Sequence, residues 1–204
     1  LSDPQTMRNL SEIQTKVILK SSFKTAIDEL TVTDRGTAEV KNFISLKLTK
    51  PKVAENQPFL IPKKSVFNKI IGDNPFELDV ASFLESRFAD VVSYAKNTMG
   101  EGGVNFKIEY QAGDGNIREY YPDFFIKTNP NTFFILETKG REEVNDIRKI
   151  KRLATWCHDI NTAQTEYTYT PIYIKQEKWE DIKNDLKTFQ DIIKIFKVVE
   201  NEIA

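Results

Sequence analysis

The chain has 204 residues, 40% of them hydrophobic and 11% aromatic, which is enough to bury one good core. Its formal net charge of −1 excludes a globally basic nucleic-acid binder, so any basic face must be local. A single cysteine, Cys157, excludes an intrachain disulfide, and a single histidine, His158, excludes a zinc cluster.

No apolar run approaches membrane-spanning length and no signal-peptide pattern opens the chain, so a cytoplasmic location is expected. The first residue, Leu1, is not a methionine, which is expected of a piece excised from a longer protein.

In chain order, residues 1 to 35 are polar and weakly periodic. Thr37 to Thr49 alternate, with Val40, Ile44, Leu46 and Leu48 separated by polar residues, and this predicts a strand. Pro51, Pro58 and Pro62 mark a linker and set a boundary near residue 60, dividing an N-terminal extension, 1–60, from a main domain, 61–204. Between Lys41 and Ile70 the only acid is Glu55, against Lys41, Lys47, Lys50, Lys52, Lys63, Lys64 and Lys69. Those lysines suit either backbone phosphates or a solvated surface.

A helix is predicted from Asn74-Pro75, with Phe76, Val80, Phe83, Leu84, Val91, Val92 and Ala95 at helical spacing and Gly100, Gly102 and Gly103 closing it. Phe106, Ile108 and Tyr110 alternate as a first strand. Gly113-Asp114-Gly115 turns into a second, which is expected to carry Asp123, and a third strand completes a meander. A helix from about Glu143 to His158 follows, with Cys157 and His158 read as a small core thiol and a helix-end polar group. Then come a strand from Thr168 to Lys175 and an amphipathic helix holding Trp179, Ile182, Leu186, Phe189, Ile193 and Phe196.

The chemistry concentrates in Tyr121-Pro122-Asp123 and Glu137-Thr138-Lys139-Gly140. Strand side chains alternate faces, so Glu137 and Lys139 share one face and Thr138 points to the other. Thr128-Asn129-Pro130-Asn131-Thr132 between them is hairpin-turn chemistry. An odd loop, Asn129 to Asn131 for example, pairs Asp123 directly with Glu137. Like charges so placed repel, and a divalent cation with oxygen ligands, chiefly Mg²⁺, removes the repulsion and activates water against phosphodiesters. Phe124 to Ile126 and Phe133 to Leu136 are apolar runs of the kind found in strands buried on both faces, where charged side chains are expensive unless they serve a purpose.

These residues resemble the PD-(D/E)xK nuclease superfamily, and more narrowly the C-terminal endonuclease domain of type III restriction enzyme Res subunits. The resemblance covers about residues 63 to 175. Besides the triad it rests on Lys64-Ser65-Val66-Phe67-Asn68, Asn74-Pro75-Phe76-Glu77, Val92-Ser93-Tyr94-Ala95-Lys96-Asn97, Asp114 to Phe124, Glu137-Thr138-Lys139-Gly140-Arg141-Glu142 and Lys151-Arg152-Leu153-Ala154-Thr155-Trp156-Cys157.

The implied fold is α/β, a central mixed β-sheet flanked by helices with an αβββαβ, restriction-endonuclease-like core. The extension is compatible with the end of a preceding motor region. Asp123 and Glu137 are implied to hold Mg²⁺, or Mn²⁺ in its place, joined by the backbone carbonyl of Thr138. Lys139 is implied to orient or deprotonate the attacking water and to offset charge on the phosphate. Glu77 has two readings: a metal ligand, or a capping-box glutamate after Asn74 and Pro75. Glu85 is the reserve ligand.

A second basic group of Arg141, Arg148, Lys149, Lys151 and Arg152 follows the site. Arg141, Lys149 and Lys151 are the candidate DNA contacts. The implied partners are double-stranded DNA, the helicase-like motor of the Res subunit and a methyltransferase (Mod) subunit, with no membrane. No glycine-rich lysine loop for nucleotide phosphates occurs, so ATP enters only through a motor region outside these residues. The alternatives are another nuclease of the superfamily, for repair or junction resolution, and a non-catalytic DNA-clamping domain.

Overall fold

The computed structural model describes residues 4–33 and 37–198. Two helices, α1 (Pro4–Ser11) and α2 (Ile13–Thr33), open the chain. The segment expected as a strand over Thr37 to Thr49 is not one. It runs without regular structure except for a 3₁₀ turn at Leu46–Leu48. Alternation alone does not make a strand, because a strand needs a neighbour to hydrogen-bond, and this segment has none among the described residues.

A small antiparallel pair follows, β1 (Phe59–Leu60) with β2 (Ile70–Ile71), and then α3 (Pro75–Ser82). Asn74 caps α3 by accepting from the Glu77 N–H at 3.0 Å, and Pro75 occupies the first turn. The expected long helix to Ala95 is corrected here. After a π-helical turn at Phe83–Arg87 the chain leaves the helix, and Ser93–Lys96 is a strand, β3. A short apolar run of buried residues satisfies helix and strand spacing alike, and pairing with β6 decides between them.

The hairpin of β4 (Ile108–Gln111) and β5 (Ile117–Tyr120) forms its own two-stranded sheet, so the predicted single meander is corrected too. Asp123 lies beyond β5, immediately before β6 (Phe124–Asn129). β7 (Thr132–Lys139), α4 (Asp146–Ala163) and β8 (Thr168–Lys175) follow. The single terminal helix expected over Trp179 to Phe196 is two, α5 (Gln176–Ile182) and α6 (Phe189–Phe196), the latter opened by a Thr188–Asp191 capping box.

The central sheet has the order β3-β6-β7-β8. β3, β6 and β7 are antiparallel neighbours, and β8 lies parallel to β7 after the α4 crossover. The sheet is therefore mixed, and helices cover it. Phe124, Ile126, Phe134, Leu136, Ile172 and Ile174 face a core shared with α3, α5 and α6, in which Trp179, Phe88 and Phe189 are fully enclosed. Ile135 on the opposite face packs with Leu153 and Cys157 of α4 and with Ile108, Tyr110 and Tyr120 of the β4–β5 hairpin. Both faces of β7 are thus covered, as its unbroken apolar run requires. Cys157 is a buried free thiol, as expected. No helix among the described residues is long and apolar enough to cross a membrane.

Candidate active site

The β6–β7 register decides where the two carboxylates fall. Phe124 pairs with Leu136 and Phe125 with Ile135, so the ladder extended by one step sets Asp123 against Glu137. The odd count comes from a different device than the expected three-residue loop. Asn129 pairs with Thr132 across a two-residue turn, and an irregularity between Lys127 and Asn129 supplies the extra residue. Without that bulge the alternation would turn Glu137 and Asp123 to opposite faces.

Asp123 is fixed by the neighbouring strand. Its Oδ2 accepts from the Thr138 N–H at 2.7 Å and from the Thr138 hydroxyl at 2.6 Å, and its carbonyl accepts from the Asn97 N–H at 2.7 Å. Glu137 Oε2 accepts from the Tyr120 hydroxyl at 3.1 Å. Each carboxylate therefore has one oxygen tied to the protein. Oδ1 of Asp123 and Oε1 of Glu137 have no hydrogen-bond partner among the described residues, and both residues are partly open to solvent.

Burial and charge both act on the two carboxyls. Burial pushes the Glu137 carboxyl well above its ordinary range, and the Asp123 charge pushes it further. Burial likewise raises Asp123 to about 6. Lys96 and the two Thr138 hydrogen bonds oppose the shift, and Glu77 adds to it. Tyr120 stays a hydroxyl donor because burial and the Glu137 charge both disfavour its ionisation.

Lys139 projects from the same face of β7 as Glu137 and is 17% exposed. Its Nζ lies 3.2 Å from Asp146 Oδ1 and 3.8 Å from Glu143, and Lys149 reaches the same Asp146 oxygen at 3.3 Å. Asp146, buried in the first turn of α4, is a site residue that the sequence reading missed. The signal for it was an acid at a helix start seven residues after Lys139.

Glu77 serves the fold more than an open ligand set. Its carboxylate accepts from the Asp73 N–H at 3.0 Å and the Asn74 side-chain amide at 2.8 Å, and it is ion-paired with Lys96. Lys96, on β3, also reaches Asp73 at 3.0 Å. Burial pulls the Lys96 pKa down, but Asp123, Glu77 and Asp73 outweigh it and hold the ammonium charged. Lys96 belongs to the Val92–Asn97 run that the resemblance rests on, but the sequence reading assigned it no role of its own. Glu85 is used elsewhere, accepting from the N–H groups of Lys63 and Lys64 and from the Tyr94 hydroxyl.

Among the candidate DNA contacts, Lys149 adjoins the site, whereas Arg141 and Lys151 are exposed on the loop and helix that follow it. Much of the earlier basic segment is structural. Lys64 Nζ donates to the Leu84 and Phe88 carbonyls at the end of the π-helical turn, Lys50 pairs with Glu101, and Lys69 lies over the Phe59 ring.

Among the described residues no group of three or more His, Cys, Asp and Glu side chains is arranged to hold a metal ion. The donor set is two carboxylates. That set suits Mg²⁺, which keeps several waters and is usually bound through one or two carboxylates together with substrate phosphates. No protein-family model, no curated protein and no solved structure matches this chain.

Proposed function

We propose that the chain is a Mg²⁺-dependent endonuclease domain of the PD-(D/E)xK type that hydrolyses phosphodiester bonds in double-stranded DNA. One observation carries the reading. Asp123 and Glu137 meet at the ends of two paired strands, each keeps one carboxylate oxygen without a hydrogen-bond partner among the described residues, and Lys139 stands beside them. Two coupled carboxyls that resist ionisation are what a bound divalent cation would relieve. The element order supports the same reading. α3, β3, β6, β7, α4 and β8 follow the αβββαβ sequence of that superfamily's core, with the β4–β5 hairpin inserted after the first strand.

The finer assignment rests on the resemblance of residues 63 to 175: a type III Res subunit domain, cytoplasmic, working with a helicase-like motor and a methyltransferase subunit. In this reading Asp123, Glu137 and the Thr138 carbonyl would hold Mg²⁺. When bound, the ion supplies the Lewis acidity that polarises the scissile phosphate.

The chain's own groups do the rest. Thr138 and Tyr120 lock one oxygen of each carboxylate, so their rotamers are set before substrate arrives. Asp146 holds Lys139 over the same strand end. From there its ammonium orients the attacking water and offsets charge developing on the phosphate. Lys149 contributes a further positive charge beside Glu137. Glu77 acts indirectly, anchoring Lys96, whose charge faces Asp123.

The test is nicking of supercoiled plasmid in Mg²⁺ against EDTA by the wild-type chain and by Asp123→Ala, Glu137→Ala and Lys139→Ala. Each substitution should lower Mg²⁺-dependent cleavage by about a hundredfold or more without unfolding the chain. Wild-type cleavage by any of the three, or cleavage that ignores EDTA, would overturn the assignment.

A further inference from the structure

Tyr173 carries the one buried side-chain hydroxyl among the described residues that has no hydrogen-bond partner. A buried hydroxyl left unmatched forfeits the bonds it made to water, and native structures seldom tolerate this without a reason. The position of Tyr173 supplies one. The parallel β7–β8 register pairs it with Glu137, and two residues on pairs Lys139 with Lys175, so all four side chains share a face. Burial and then the charges of Asp146, Glu142 and Glu137 disfavour its ionisation, which sets the phenol within the field of the site's acids and keeps its proton in place.

The other tyrosine at Glu137, Tyr120, is already satisfied by Oε2. Lys175 Nζ does not fill the gap, because it pairs with Glu142 at 2.6 Å and lies 6.0 Å from the Tyr173 ring centroid.

We propose that Tyr173 is a further catalytic residue, whose hydroxyl donates to the water that Glu137 and Lys139 position for attack. The proposal rests on the nuclease reading. Water suits that point, because it accepts from the phenol while donating to the carboxylate of Glu137, the cross-strand neighbour of Tyr173. In the hydrolysis the water oxygen forms the new bond to phosphorus and the bond to the leaving sugar oxygen breaks. One proton of the water passes to solvent, and the leaving oxygen takes one up.

The experiment compares wild type with Tyr173→Phe, which keeps the ring and removes only the hydroxyl. It measures steady-state plasmid nicking, thermal melting and the Mg²⁺ midpoint of thermal stabilisation. Removing an unmatched hydroxyl should leave the melting temperature equal or higher and the Mg²⁺ midpoint unchanged, while kcat falls about tenfold or more at constant KM for DNA. Equal kcat would overturn the proposal, as would a rise in KM alone or a loss of kcat matched by a loss of stability. A wild-type chain that does not nick would remove the nuclease reading itself. Wild-type nicking matched by the variant would remove Tyr173 alone.

Discussion

Lys139 and Asp146 form an ion pair, Nζ to Oδ1 at 3.2 Å, in which the carboxylate side chain is 5% exposed and the lysine side chain 17%. The pair joins the end of β7 to the first turn of α4 and gives Lys139 a fixed direction. Asp146→Asn keeps the size of the side chain and removes its charge, leaving both Lys139 and Lys149 without their shared partner. We expect a loss of about 1–3 kcal/mol in stability and at least a tenfold fall in Mg²⁺-dependent nicking. Urea unfolding and nicking rates on that variant check this. Unchanged nicking with reduced stability would make Asp146 a purely structural acid.

Asp123 predicts a pH dependence whose sign follows from its raised pKa of about 6. Below about pH 4 the folded and unfolded states both hold the proton. Between there and pH 6 the unfolded chain releases it and the folded chain does not, so stability falls as pH rises, and above pH 6 the penalty is complete. Glu137, shifted the same way, extends the window upward. In EDTA, Asp123→Asn should therefore gain on wild type as pH rises from about 4 to 6 and keep that gain above it, by on the order of 2 kcal/mol at most because the group is partly solvated. Mg²⁺ at pH 8 should erase that advantage by stabilising wild type more. Melting curves across pH, with and without metal, decide it. A difference independent of pH would contradict the shifted carboxyl.

Lys96 and Glu77 are a buried pair, each side chain 5% exposed. Removing one partner strands the other, so Lys96→Met and Glu77→Leu should each destabilise the chain, the former by about 3–5 kcal/mol. The double variant Lys96→Met with Glu77→Leu should recover much of that loss, yet nick more slowly than wild type because Asp123 loses its neighbouring cation. Denaturant unfolding of the cycle checks the first part and nicking the second. Additive losses would mean the two residues do not depend on each other.

Legibility in the sequence followed how local the determining physics is. The β6 and β7 apolar runs, the Thr168–Lys175 strand with its bounds, and the shared face of Glu137 and Lys139 were all readable, because a period of two and a continuous apolar run are local signals. β3 was lost to helix spacing because its membership depends on pairing with β6, a partner some thirty residues away. The strand expected from Thr37 failed for the converse reason: among the described residues its alternation has no partner to pair with. Asp123 and Glu137 were nominated from their motif, and the β6–β7 register brings them to one face. Lys96, Asp146 and Tyr173 enter the site only through the fold: a buried ion pair, a helix start and a parallel neighbour.

The central claim is that Asp123 and Glu137 share one divalent cation. Anomalous difference density from a crystal soaked in Mn²⁺ tests it most directly. The account predicts a peak at the Asp123 and Glu137 carboxylates, and no such peak in Glu137→Gln. Saturating Mn²⁺ with no peak between the two carboxylates in the wild-type chain would contradict it.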